Sequence, residues 1–562
     1  MKTIRVAFID IVWRLLFLLS PGAVAFICSS PNKLGRTLAV MCESSDDEPA
    51  PFRLGYVTDV EGNLEYFKKF VRQSNVLRLV AESDLELVLD LYDDSCYFVF
   101  GGDSVDKGPG DIRLNRALVS LKRKHPERVH LLVGNRDLNK LRFSAELSEA
   151  DLKWPLEDIP GPHWDPKAPT LQEFLEKELQ TNSSLPKNIT VHDINTRVNR
   201  LKYMLKHTLG CPNTFEYRRL ELSILRQCEA VDVSDEDVVD NFLYEVENPE
   251  GSLRQYLENA EVAAALGNTL FVHGAVDERT MKYVPALDTK FENPSSKPKS
   301  TKIYEDLNEW VAELNSFLKA GLKDHYERPE WDDTRSTRGG EALLALQNRP
   351  AVWGRSIVSN CYGDGGVIFT ETASELLNNP TRLSQEKHNP LVFEGVSSDP
   401  RDPKVAEWLM QHGIKRVVVG HKPTGDSPAV LTSAYTGVEI VSGDTSFSDT
   451  SAKDNRGSAV AVVEIIGKSK TTNRLELSGS LSSGETYSGV FPVLESVSQT
   501  TADEPVSSSI LGRELPGGWW IKAMVSSDFL LCRGRGRHVE YKRSTIEELT
   551  PSLKHDLFTN GR

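Results

Sequence analysis

Short apolar runs that stop at a small polar cluster recur along this chain of 562 residues. Leu54–Thr58 runs into Asp59-Val60-Glu61-Gly62-Asn63, and Tyr97–Phe100 into Gly101-Gly102-Asp103-Ser104-Val105-Asp106-Lys107-Gly108. Val129–Val133 leads into Gly134-Asn135-Arg136-Asp137, Leu270–Val272 into His273-Gly274, and Val417–Val419 into Gly420-His421-Lys422-Pro423. Runs of this length read as buried strands, and ligands in open α/β sheets collect at strand carboxyl ends. Five such endings in one chain imply one assembled site.

The intervening pattern predicts an α/β core with inserts. Between 54 and 143, helices over Leu64–Val80 and Ile112–Lys124 separate the motif-bearing strands. Helical periodicity takes over from about 144 to 262, as in Leu171–Leu179, Val198–Leu209 and Glu216–Glu229, which reads as a helical insert. A second insert spans about 277 to 350, with an amphipathic helix at Tyr304–Leu322 and a polar loop at Arg335–Gly340. The core resumes with helix Val405–Gln411 and strands Ile414–Val419, Gly437–Val441 and Ser458–Ile466. Residues 467–562 read as a C-terminal extension, polar at first, then carrying a small β-hairpin at Trp519–Tyr541 around Arg533-Gly534-Arg535-Gly536.

Residues 1–45 read as a targeting leader. Lys2, Arg5 and Arg14 precede the apolar run Leu15–Ala25, which ends in an Ala23-Val24-Ala25 cleavage pattern. Phe26 and a basic, Ser-bearing stretch without an acid before Glu43 follow. This resembles the bipartite plastid leader of algae; the alternatives are secretion, or membrane association through the uncleaved leader. No stable membrane span is expected once the leader is removed.

Composition narrows the partners. A chain with 39% hydrophobic and 26% charged residues is globular. A net charge of −15 makes a nucleic-acid partner unlikely on electrostatic grounds. Seven cysteines without a C-x-x-C pair argue against a zinc ribbon and a disulfide scaffold.

The five clusters supply carboxylate, amide and imidazole donors, a mixed N/O set suited to divalent ions that clamp a phosphate. No G-x-S-x-G elbow and no phosphate-binding G-x-x-x-x-G-K-[ST] loop is present. Taken in order, the clusters resemble the calcineurin-like metallophosphoesterases, whose pattern is D-x-H, G-D-x-x-D, G-N-H-[DE], a lone His, then G-H-x-H or a shorter G-H form. The resemblance covers residues 52–466 minus both inserts, and is nearest to a divergent protozoan and algal group with D-x-E-G-N and G-N-R-D. It implies a two-sheet β-sandwich flanked by helices and a pair of divalent metal ions, Mn or Mg favoured, Fe or Zn possible. It further implies that Asp103 bridges both ions, that Asn135, His273 and His421 complete one shell, and that Asp59 and Glu61 hold the other ion. Asp106 would orient ligands from behind. Outside those motifs, Arg355 in Trp353-Gly354-Arg355-Ser356 is a candidate for contact with phosphate or substrate, the alternative being a surface salt bridge.

Two positions depart from that pattern. Glu61 stands where the family has His and favours a harder ion. Arg136 stands where the family has a general acid, a role arginine cannot fill because it keeps its proton. Arg136 can instead neutralise a phosphate oxygen, leaving Asp137 or a metal-bound water to assist proton transfer weakly. The two changes look compensatory in charge. The implied activity is hydrolysis of a phosphorylated small molecule or a phosphoprotein, with the inserts shaping substrate access. The alternative is a phosphate-binding pseudoenzyme acting as a scaffold.

Overall fold

Apolar runs buried on both faces can only be satisfied between two layers, and the strand pairing supplies those layers. The computed structural model describes residues 51–162, 167–183, 186, 188–276, 281–287, 300–346, 403–432, 437–446, 453–494, 510–535 and 538–559. The leader and Arg355 lie outside the described residues. Strands β1 (Phe52–Val57), β2 (Leu77–Glu82), β3 (Leu87–Leu91), β4 (Cys96–Phe100) and β5 (Val129–Leu131) come first. After a helical stretch follow β6 (Ala263–Leu266), β7 (Thr269–Val272), β8 (Tyr283–Pro285) and β9 (Ser300–Ile303). Next are β10 (Arg416–Val419), β11 (Ala429–Thr432), β12 (Glu439–Ser442), β13 (Val460–Gly467), β14 (Asn473–Ser480) and β15 (Thr486–Val490). The last are β16 (Glu514–Leu515), β17 (Trp519–Val525), β18 (Asp528–Arg535) and β19 (His538–Ser544).

One sheet runs β19-β18-β17-β15-β14-β13-β1-β4-β5, and the other β11-β12-β10-β7-β6. Each contains a parallel triplet, β1-β4-β5 and β7-β10-β12. Val99 and Val418 point between the sheets, whereas Phe98, Phe100, Val417 and Val419 point outward under helices, the period-two alternation of a strand. The rings of Tyr56 and Phe271 meet across the sandwich at 5.9 Å. The fold is therefore mixed α/β, as the sequence pattern predicts, and a two-sheet sandwich flanked by helices, as the resemblance implies.

Three local expectations need correction. Helix α1 spans Leu64–Gln73 rather than reaching Val80. It starts at Asn63, whose side chain accepts the Tyr66 N–H, and stops at Ser74, which turns extended. The chain then enters the hairpin β2–β3, whose buried Leu77 pairs with Leu91. Second, β14, β15 and β17 to β19 continue the first sheet, so the residues after 466 are built into the core layer. Third, Trp519–Tyr541 is part of a three-stranded meander; Arg533 and Arg535 lie within β18, and Arg533 pairs with Glu540 at 3.0 Å instead of sitting at a tip.

Between β5 and β6 lie helix α3 (Asn135–Asn139) and further helices including Thr214–Arg226 and Asp235–Glu247. Helix α2 (Asp111–Lys124) packs against β3 and β5. Among the described residues no helix is long and apolar enough to cross a membrane.

His325, in the helix Leu307–Glu327, is 1% exposed. Burial lowers its pKa to about 4, the Gly339 carbonyl opposing and Arg338 and Arg254 adding repulsion. An unfolded histidine takes up its proton near the usual 6.5, so between those values the unfolded chain holds more protons and stability falls as pH falls. The expected loss is on the order of 2–3 kcal/mol from pH 7 to pH 4. Urea midpoints of wild type and His325→Gln across pH 7 to 5 check it: the variant should show the shallower slope.

Candidate metal and phosphate site

Parallel strands deliver their carboxyl ends to one rim, and six do so here. Asp59 follows β1, Asp103 follows β4, Asn135 follows β5, His273 follows β7, His421 follows β10 and Asp444 follows β12. The rim backbone is strained at the residues that matter. Asp59 (φ 52°), Glu61 (φ 49°), Asp103 (φ 56°), Asp106 (φ 122°) and His421 (φ 64°) all have positive φ, a conformation that side-chain-bearing residues rarely adopt. Hydrogen bonds between the loops hold them there: Asp59 N–H to Gly102 O at 3.0 Å, Glu61 N–H to Asp103 O at 2.9 Å, and Gly62 N–H to Ser104 O at 2.8 Å.

Asp103 sits at the centre. Its Oδ1 accepts the Arg136 N–H at the start of α3, 2.9 Å away, and lies 3.5 Å from His273 Nε2. Nδ1 of His273 is 2.8 Å from the Gly101 carbonyl, so it carries a proton and donates it. In the neutral ring this leaves the Nε2 lone pair facing Asn135 Oδ1 at 3.2 Å and Asp103 Oδ1. Three acceptor atoms converge there, and only a proton on Nε2 or a metal cation can bridge them. The donor atoms of Asp103, His273 and His421 lie within 4.8 Å of one another, as do those of Asp59, Glu61 and Asp103. Asp103 is common to both groups, and all of these residues are buried.

The electrostatics show the same tension. Burial opposes a charged imidazole, yet Asp103, Asp59 and the Gly101 carbonyl push His273 up to about 10. Asp59 is pushed well above the usual carboxylate range by burial and by Asp444 and Asp103, with His273 opposing. Asp444 rises to about 6 through burial, Arg456 opposing and Glu61 adding to it. A buried cluster that resists its own negative charge accepts a cation readily.

Glu61 behaves differently. Burial would raise it, but Arg136, Arg456 and Lys107 hold it well below the usual range. Arg136 Nε is 2.9 Å from Glu61 Oε1 and Lys107 Nζ is 2.9 Å from Oε2. Arg456 Nη2 lies 3.5 Å from both Glu61 Oε1 and Asp444 Oδ1. Arg136 also reaches Asp106 Oδ2 at 3.1 Å, and Lys140 contacts Asp106 Oδ1 at 2.8 Å. Asp106 thus acts on the site through Arg136.

Asp137 requires a correction. Its side chain is fully buried and accepts N–H groups from Asp103, Ser104 and Gly134, at 3.0, 2.8 and 2.8 Å, and the Ser104 hydroxyl at 2.9 Å. It faces backbone rather than any place where a substrate would lie, so it positions the loops and does not assist proton transfer.

The sequence pattern passes over Arg456 and Lys140 and gives Lys107 no role; for Asp444, in Gly443-Asp444-Thr445-Ser446, it allows a place on the rim or a plain turn. Asp444 repeats the signal of the other strand ends, an apolar run into Gly443-Asp444. Arg456 gives no such signal. It precedes β13, which is antiparallel to β1, so the start of β13 reaches the rim where β1 ends.

No family model matches the chain, and no curated protein does. Among solved structures, a cold-active protein-tyrosine phosphatase of a psychrophile, Shewanella sp., is similar at 12% identity and a TM-score of 0.32, covering 79% of this chain and 80% of that one. A protein serine/threonine phosphatase from Saccharomyces cerevisiae gives 11% identity and a TM-score of 0.28, covering 80% and 81%. Likenesses this distant leave the reading of the site to its own geometry.

A Cβ added at Gly134 would collide with Asp103 Oδ1 and the Asp103 amide, both backed by structure that cannot retreat. Gly134→Ala is therefore expected to weaken divalent-ion binding by about 10-fold or more, read as loss of Mn-induced thermal stabilisation. Gly161→Ala, whose nearest neighbour would be 3.6 Å away, should retain it.

Proposed function

We propose that this protein is a metal-dependent phosphoesterase of the calcineurin-like type, acting on a phosphoester or phosphoanhydride. The observation that carries the reading is the pair of buried donor groups sharing Asp103, with Arg136 3.7 Å from its second oxygen. The donors fit a divalent cation, because His273 Nε2, Asn135 Oδ1 and Asp103 Oδ1 turn acceptors toward one another. Asp103, Asn135, His273 and His421 would hold one ion, and Asp59 and Glu61 stand beside them with Asp103. When bound, divalent cations supply Lewis-acid activation of the phosphoryl group and of water.

The chain's own residues set the rest. The Gly101 carbonyl fixes the His273 tautomer, and the His421 N–H fixes Asp59 through a 2.9 Å bond to its Oδ2. Arg136 is kept charged, since Glu61, Asp106 and Asp103 outweigh the effect of its burial. It can offset phosphate charge but cannot hand a proton to a leaving group. Asp137 cannot do so either, because its oxygens are committed to four donors.

The leaving group must then depart largely unprotonated. Phosphoanhydrides and aryl phosphates are expected to react faster than alkyl esters by about two orders of magnitude or more, the usual contribution of a general acid. Rates across aryl and alkyl phosphates of graded leaving-group pKa check this; a flat dependence would sink it. Asp103→Asn should lower kcat by about 10³-fold. The rival reading, phosphate binding without turnover, draws on the enclosure of Glu61 by three cations. It predicts phosphate retention with no hydrolysis at any metal concentration.

A further inference from the structure

The two donor groups that share Asp103 are not equivalent. Around His273 the ligands are imidazole, amide and carboxylate: its ring nitrogens face the Gly101 carbonyl, Asn135 Oδ1 and Asp103 Oδ1, all of them oxygens. Around Glu61 the opposite holds. Although the oxygens of Asp59, Glu61 and Asp103 lie within 4.8 Å of one another, both oxygens of Glu61 already face cations. Oε1 meets Arg136 and Arg456, and Oε2 meets Lys107. Arg136 also turns toward Asp103 Oδ2, the oxygen pointing away from His273.

An ion placed on Glu61 would lie within a few ångströms of three fixed positive groups. Two of them are rigidly held: Arg456 donates to the Asp59 carbonyl at 2.9 Å and Arg136 is braced by Asp106, itself paired with Lys140. The side chains of Arg456 and Arg136 are 4% and 16% exposed, so solvent screens little of that repulsion. The residues therefore do not fit a second ion.

We infer that this is a one-metal centre: a single divalent cation sits on Asp103, Asn135, His273 and His421, and the guanidinium groups of Arg136 and Arg456 with the Lys107 ammonium occupy the electrostatic place of a second. This rests on the metal-dependent reading and replaces its second ion by built-in charge. Guanidinium groups are suited to that place because they bind phosphate oxygens and cannot lose their charge at working pH.

The test is metal stoichiometry on the full chain. Apo protein is equilibrated with Mn²⁺, the bound ion counted by elemental analysis after dialysis, and the spin state read by low-temperature electron paramagnetic resonance. The expected result is one Mn²⁺ per chain with the six-line signal of an isolated ion, any second ion binding at least about 100-fold more weakly. Two ions of similar affinity, with the dense multiline signal of an exchange-coupled pair, would overturn the one-metal assignment and leave metal-dependent hydrolysis standing. One ion without hydrolysis would keep the assignment and remove the enzymatic reading. No bound ion at all would remove both. Arg456→Gln combined with Lys107→Gln should tighten the second ion by about 10-fold or more and bring in the coupled signal. Lys107→Gln alone, at a side chain 33% exposed, tests the same direction should the arginine variant not fold; no tightening in either variant would also overturn the assignment.

Discussion

The rim depends on the carboxylate of Asp137. It gathers three backbone N–H groups and one hydroxyl, from Asp103, Ser104 and Gly134, and so ties the loop after β4 to the turn that opens α3. Hydrogen bonds to a charged acceptor contribute about 1.5–3 kcal/mol each, against the burial that lifts this group to about 6, Asp103 adding to that rise. The tie places Asp103 Oδ1 beneath the first N–H groups of α3 and beside His273. With the bond from the Glu61 N–H to the Asp103 carbonyl, the tie helps hold Asp103 at positive φ. Strain of that kind persists only where its surroundings over-determine it.

The helices between β5 and β6 extend the same bracing outward. Thr214 hydrogen-bonds the Asp106 carbonyl, and Arg218 pairs with Asp111, whose other oxygen accepts the Asp106 N–H. Glu221 accepts the Ile112 and Arg113 N–H groups at the start of α2. These contacts give that segment a mechanical part: it fixes the turn that carries Asp106, and through Asp106 it fixes Arg136. Its effect on the site is exerted from behind.

What could be read from sequence follows the physics of each element. Strands β1, β4, β7 and β10 are legible because burial on both faces makes them continuous apolar runs, and their ends are legible because parallel strands share a rim. The β2–β3 hairpin is hidden because Val80 and Val88 break the alternation of apolar and charged residues in Leu77-Arg78-Leu79 and Leu89-Asp90-Leu91, leaving a pattern that also fits a helix. Arg456 is hidden for another reason. Its closeness to Glu61 is a product of the antiparallel register of β13 on β1, with Tyr56 opposite Val463, and no local pattern carries such information. Asp137 is legible as a motif residue but not as a buttress. Its role turns on which way a buried side chain points, and α3 decides that by using it to cap its own first turn.

The departures at Glu61 and Arg136 can now be placed. Sequence arithmetic pairs one added negative charge with one added positive charge; in the fold they are in direct contact at 2.9 Å, and Arg456 and Lys107 join them. A buried pair of this kind cannot be changed one residue at a time, since removing one partner leaves a charge that costs about 3–5 kcal/mol. Replacing Glu61 by a neutral imidazole would leave three cations around an uncharged ring: Arg136 would keep Asp106 and Asp103, and Arg456 would keep Asp444 and Asp454, but Lys107 would lose the carboxylate it faces. Replacing Arg136 by histidine would free one oxygen of Glu61 but keep Lys107 on the other. Neither single change restores a pocket for a second cation. The Glu61 cluster is therefore a self-consistent alternative arrangement, in which fixed side-chain charge stands where a mobile ion would otherwise be needed.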